Sequence, residues 1–168
     1  MNRRRAARET AVLFSVGDAC FAIAANAVEE IRGLEGLVPL GDKRGRVRSM
    51  THTVERCSKQ HIVIDAALHF GMPPAKPERL LVLRASLVAV LVGCVDRMQE
   101  IATVYSLPPA FHGHERQWYG GLALLHDAII PLVNPESFLS EINRLHLASP
   151  MSRPASEIGA TAEGAACA

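Results

Sequence analysis

The sequence predicts an all-β chain folded as two small β-barrels packed on each other. Three observations carry this expectation. Apolar residues come in short continuous runs or at period two rather than at helical spacing. Turn residues separate those runs at short intervals. One strand–turn–strand unit occurs twice, about 70 residues apart. Many short strands with few helical stretches belong to the barrel and sandwich class.

Taken in order, residues 12–16 and 20–24 flank Gly17-Asp18, a hairpin signal. Ile62-Val63-Ile64 reads as a short buried strand. Residues 80–83 and 87–95 form a second hairpin around Ala85-Ser86, and residues 121–125 and 128–133 a third that turns at His126-Asp127. Helical signal is confined to residues 65–70 and 135–147, where Pro135 suits a first turn. Three prolines within residues 71–77 forbid a continuing helix or central strand, which makes that stretch the linker between a subdomain at 10–70 and another at 78–142. Residues 1–9 read as a basic disordered tail. Residues 143–168 read as the helix end and a second tail, in which 14 of the last 21 residues are Ala, Ser, Pro or Gly.

The repeat is legible in detail. After the first hairpin comes Val28-Glu29-Glu30-Ile31, and after the second Met98-Gln99-Glu100-Ile101. Asp65 then closes Ile62-Val63-Ile64, as Asn134 closes Pro131-Leu132-Val133. A barrel of half this chain's length buries too little apolar surface alone, so the two units should share a core.

Composition removes several function classes. Lys and Arg number 18 against 17 Asp and Glu. Without a basic stripe an electrostatic nucleic-acid binder is disfavoured, and the cluster Lys43, Arg44, Arg46 and Arg48 has no interleaved aromatics for stacking on bases. Arg3, Arg4, Arg5 and Arg8 precede an apolar run over residues 11–16 that is too short for a signal peptide's core. Residues 80–95 are too few to span a bilayer. The expected location is the cytoplasm. Cys20, Cys57, Cys94 and Cys167 form no CxxC, which argues against a zinc ribbon, and Cys94 in its apolar strand reads as a small core residue.

Catalytic motifs are missing as well. The sequence holds no GxSxG, Walker A, GxGxxG or HExxH motif, and His112 and His114 have no supporting ligand pattern. No cofactor or metal is expected. One enzymatic alternative stands: a small β-barrel hydrolase using Asp65 and Asp96 as paired carboxylates.

Three segments resemble the CheW coupling proteins of bacterial chemotaxis, over roughly residues 10–142. Val28-Glu29-Glu30-Ile31-Arg32-Gly33 looks like that family's V-x-E-I-R-G. Val92-Gly93-Cys94-Val95-Asp96-Arg97-Met98 is similar to its V-G-x-V-V-D-x-V strand. Tyr119-Gly120-Gly121-Leu122-Ala123 and residues 130–134 look like its last hairpin. The resemblance implies two SH3-like five-stranded barrels with a short C-terminal helix. It also implies a non-catalytic adaptor that bridges chemoreceptor signalling tips and the regulatory domain of a CheA-type histidine kinase. Val28, Glu30 and Ile31 would then lie in the receptor contact, and Arg56 would bind kinase or receptor.

One stretch departs from the family. Where N-L-R-G is usual, this chain has Val54-Glu55-Arg56-Cys57-Ser58, and one more residue than usual separates Arg56 from Asp65. Without glycine a two-residue primed turn is costly, so a longer loop or bulge with Arg56 exposed at its tip is expected. The departure points to a divergent member, such as a scaffold for twitching motility or second-messenger control.

Overall fold

The structure, a computed structural model, describes residues 3–4, 9–41, 47–125, 127–138 and 140. Its strands in chain order are β1 (Arg3–Arg4), β2 (Glu9–Val16), β3 (Ala19–Ala24), β4 (Val28–Arg32), β5 (Leu37–Pro39), β6 (Met50–Arg56) and β7 (Lys59–Asp65). There follow α1 (Ala66–His69), β8 (Arg79–Leu83), β9 (Val88–Val92), β10 (Val95–Ile101), β11 (Val104–Tyr105), β12 (Tyr119–Leu125) and β13 (Ala128–Val133). Residues 71–77 carry no regular structure. Residues 136–138 and 140 are helical, while residues 141–147 of the expected helix lie outside the described set, as do residues 143–168, Lys43, Arg44, Arg46 and His126. No helix among the described residues is long and apolar enough to cross a membrane.

The strands form a seven-stranded sheet, ordered β1-β11-β12-β13-β3-β2-β10, and a six-stranded sheet, ordered β4-β8-β9-β7-β6-β5. If β2 through β7 are matched to β8 through β13, the two orders are the same apart from β1. The repeat therefore holds strand for strand. The two sheets do not divide at the linker, however. The hairpin β2–β3 pairs with β10 and β13 of the second half, and the hairpin β8–β9 pairs with β4 and β7 of the first. Each sheet is one half's hairpin inserted into the other half's strands. Backbone ladders carry no side-chain signature, so a period-two pattern reveals a strand without naming its partner.

Burial explains the sequence pattern. Strand β9 is buried along its whole length, β8 at all but its first residue, and β2 and β3 through their central residues, because both faces are covered there. Val12, Phe14, Val16, Phe21 and Ile23 face Ile64, Leu81, Leu83, Val88, Val90 and Val92 in a core shared between the sheets. Alternate residues of the same strands point the other way. Ala11, Leu13 and Ala22 join Ile101, Ala123 and Ile130 inside one sheet's curl, and Leu80, Val82, Ala89 and Leu91 join Val54 and Val63 inside the other's. The scarce aromatics gather in the shared core: Phe21 lies 5.1 Å from Phe70, and Phe70 5.7 Å from Trp118. Asp65 caps α1 by accepting from the N–H groups of Ala67 (2.8 Å) and Leu68 (3.2 Å), which sets the helix that delivers Phe70.

Two motif glycines answer to close approach. A Cβ on Gly93 would sit 2.5 Å from Ser15 Oγ, where Gly93 N–H donates to Ser15 O at 2.8 Å. A Cβ on Gly121 would meet Val104 Cγ1 at 2.5 Å and Tyr105 O at 2.7 Å.

Three expectations are corrected. Arg3–Arg4 pairs with Val104–Tyr105 and Glu9 begins β2, so residues 1–9 are not wholly a tail: an extended backbone of any composition can add to an open sheet edge. Cys94 is exposed, as are Cys20 and Cys57, because β9 ends at Val92 and Gly93-Cys94 forms the step into β10. The turn after Arg56 is a two-residue one after all. Arg56 pairs with Lys59, and Cys57 (φ 48°) and Ser58 (φ 59°) both adopt the left-handed conformation of a primed turn. The bulge in this ladder lies at the far end, between Met50 and His52. Ile62 and Ile64 still face the shared core and Val63 the barrel interior, as the pairing with Asp65 at the strand end requires.

Two outcomes are expected. Phe14→Ala should lower stability by about 3–5 kcal/mol, with Trp118 fluorescence and far-UV circular dichroism melting together in urea because both sheets use one core. Separate transitions would contradict a shared core. Ser58→Gly should raise stability by roughly 0.5–1 kcal/mol by removing left-handed strain from an L side chain, read from the same denaturation curves.

Candidate functional site

Strand β4 opens with a bulge. Val28 pairs with Leu83 and Glu30 with Val82, so Glu29 is an extra residue in the ladder. Neighbours on a regular strand point to opposite faces, and a bulge re-aims them. Here both carboxylates reach one cation: Arg56 donates to Glu30 Oε2 from Nε at 2.6 Å and meets Glu29 Oε1 through Nη2 at 2.9 Å. Hydrogen bonding to Glu30 first, and to Glu29 after it, raises the Arg56 pKa above the ordinary guanidinium value. Two carboxylates on one guanidinium leave one surplus negative charge. All three side chains are partly open to solvent, Arg56 at 23%.

Strands β4 and β6 share no ladder, because β8, β9 and β7 lie between them in the sheet order. The cluster thus joins parts of the sheet that only its curl brings together. Beside it lies an open groove of about 660 Å³. One wall is the β6–β7 turn with Cys57 and Lys59, and the other is the β8–β9 turn with Ser86 and Leu87. Leu87 is 52% exposed, an apolar anchor point beside the charged cluster.

The residues singled out from sequence fare differently. Glu30 and Arg56 meet. Ile31 is exposed on β4, as is Val38 on β5 at the other end of the sheet order. Val28 is buried in the shared core, 7% exposed, so it supports the cluster from beneath rather than offering a contact. Arg56 ends a strand in an ion pair instead of standing free at a turn tip. Glu29, Lys59 and Leu87 were not anticipated: the bulge that re-aims Glu29 and the approach of two turns distant in sequence leave no local pattern. Asp65 and Asp96 do not come together. Asp65 is engaged as the helix cap, while Asp96 is exposed on the other sheet beside Arg97 at 3.7 Å.

The family model of the CheW-like domain matches residues 10–143. The chain belongs to the CheW-like domain family. The match takes in β2 from its second residue and every later strand to β13, with the acidic pair, Arg56 and the groove, and leaves β1 outside. In fold the chain is similar to the crystal structure of the scaffolding protein TtCheW from Thermoanaerobacter tengcongensis, with a TM-score of 0.65 and 16% identity over 76% of this chain and 90% of that one. No curated protein matches the sequence.

The exposed thiols provide a chemical check on the geometry. Burial pushes the Cys20 thiol up, and the nearby Asp96 and Cys94 charges add to this. Cys57 stands exposed at the groove's rim. Iodoacetamide at neutral pH should modify Cys57 ahead of Cys20. The Cys20 rate should go on rising with pH beyond the point where an ordinary exposed thiol levels off, since only the thiolate reacts. Peptide mass spectrometry against pH reads both.

Proposed function

We propose that this CheW-like chain is a non-catalytic scaffold, and that it couples chemoreceptor signalling tips to the regulatory domain of a CheA-type histidine kinase in the cytoplasm. The observation that carries the proposal is the Glu29–Glu30–Arg56 cluster beside an open groove. Charge held in a defined geometry sets register and steers encounter, and nearby apolar side chains such as Ile31 and Leu87 supply anchors. Family membership supports the scaffold role, and the exposed edge of β4 offers a place for a receptor helix hairpin to dock. The hydrolase alternative loses its basis once Asp65 is committed to capping α1. The Cys57–Ser58 turn, in place of the family's glycine-bearing one, favours a chemosensory output other than flagellar chemotaxis, such as twitching motility or second-messenger control.

The test is calorimetric titration with a chemoreceptor signalling-tip fragment and, separately, a CheA-type regulatory domain, with thermal melting run alongside. Arg56→Ala should weaken binding about tenfold while melting changes little, as suits a partly exposed ion pair. Glu30→Lys should weaken it further by setting two cations together, and adding Arg56→Glu to Glu30→Lys should recover part of the loss. Unchanged binding in both single variants would place the docking face elsewhere. Absence of binding by the unaltered protein to either partner would overturn the coupling role.

A further inference from the structure

Arg84 follows the last residue of β8 and opens the turn into β9. Its backbone N–H donates to Ala27 O at 2.8 Å. Its Nε donates to Asn26 O at 2.9 Å, and Nη2 donates to Val28 O at 3.3 Å. Three successive carbonyls therefore accept from one residue, at the point where the 3-10 turn Ala25–Ala27 gives way to β4 and immediately before Glu29. Carbonyls at the end of such a turn have no partner within it. The ladder to β8 is interrupted there as well, because Glu29 is the bulged residue. A planar guanidinium reaches two carbonyls at once, whereas a lysine ammonium acts as a single point.

We infer that Arg84 is a positioning residue for the acidic pair. By donating from its side chain to Asn26 O and Val28 O, on either side of the backbone bond to Ala27 O, it fixes the bulge that turns Glu29 and Glu30 together onto Arg56. The same grip ties β4 to the turn whose next residues, Ser86 and Leu87, form the groove's second wall. Arg84 makes no ion pair with either glutamate, so its effect passes through the backbone. That Arg84 holds the cluster stands on this geometry alone; that it thereby tunes docking rests on the scaffold reading above.

The experiment compares Arg84→Met, which keeps an apolar stem without donors, with Arg84→Lys, which keeps the charge without the fork. The primary readout is the Nε–Hε NMR signal of Arg56, which a held guanidinium displaces from the free-arginine position and which needs no partner. Thermal melting and titration with the receptor-tip fragment accompany it. Arg84→Met should return the Arg56 signal to the free position and weaken receptor-tip binding about fivefold, and Arg84→Lys should fall between. In an Arg56→Ala background, Arg84→Met should add no further loss of binding, as residues acting through one unit do. A displaced Arg56 signal that persists in Arg84→Met overturns the positioning role, whatever binding does. A lost signal with full binding sustains the positioning role and overturns the use of the cluster in docking. Should Arg84→Met fail to fold, Arg84→Lys carries the same comparison.

Discussion

The constraint on which everything else depends is the size of the two barrels. Each sheet has about half the chain with which to enclose a core, and a domain that small leaves much apolar surface uncovered. The answer is a third core between the sheets. Large side chains concentrate there, with Phe14, Phe21, Phe70 and Phe138 among them. The curls of the individual sheets are filled partly by alanines such as Ala11, Ala22, Ala89 and Ala123. The strands between the shared core and a barrel interior, above all β9, are buried on both faces.

Exchange of hairpins follows from the same constraint. Because β2–β3 sits among the second half's strands and β8–β9 among the first half's, neither sheet can form without both halves of the chain. The crossings are short: the turn Ala25–Ala27 on one side, Gly93-Cys94 on the other. Each crossing leads into a strand with a bulge near its start, β4 between Val28 and Glu30, β10 between Val95 and Met98. A bulge bends a strand and increases its twist, which helps a short sheet curl. In β4 that geometric device also re-aims a carboxylate. The Glu29–Glu30–Arg56 cluster is thus a by-product of how the barrel is closed, and Arg84 stands where the crossing, the bulge and the groove meet.

The Cys57–Ser58 turn shows a local preference overridden. Neither residue is a usual choice for two consecutive left-handed positions, yet Arg56 and Lys59 pair across them. The ladder from Thr53–Ile62 to Arg56–Lys59 runs without interruption, and keeping that register puts Val54 and Val63 in the barrel interior. A three-residue loop would slip the register by one and turn side chains from one face to the other, at the cost of buried apolar contacts. Strain at two exposed residues is the smaller term.

The sequence by itself determined the class of the fold, its repeat and the three hairpins. These are written in short-range patterns: period-two or continuous apolar runs and the turn residues between them. Resemblance to the CheW family singled out Val28, Glu30, Ile31 and Arg56 as individual residues. What only the tertiary structure decided is which strands pair and therefore which side chains meet. Backbone hydrogen bonds are alike for every residue, so the exchange of hairpins leaves no trace in composition or spacing. The meeting of Glu30 with Arg56, the recruitment of Glu29, the burial of Val28 and the exposure of Cys94 all follow from that pairing and from the curl that brings β4 to β6.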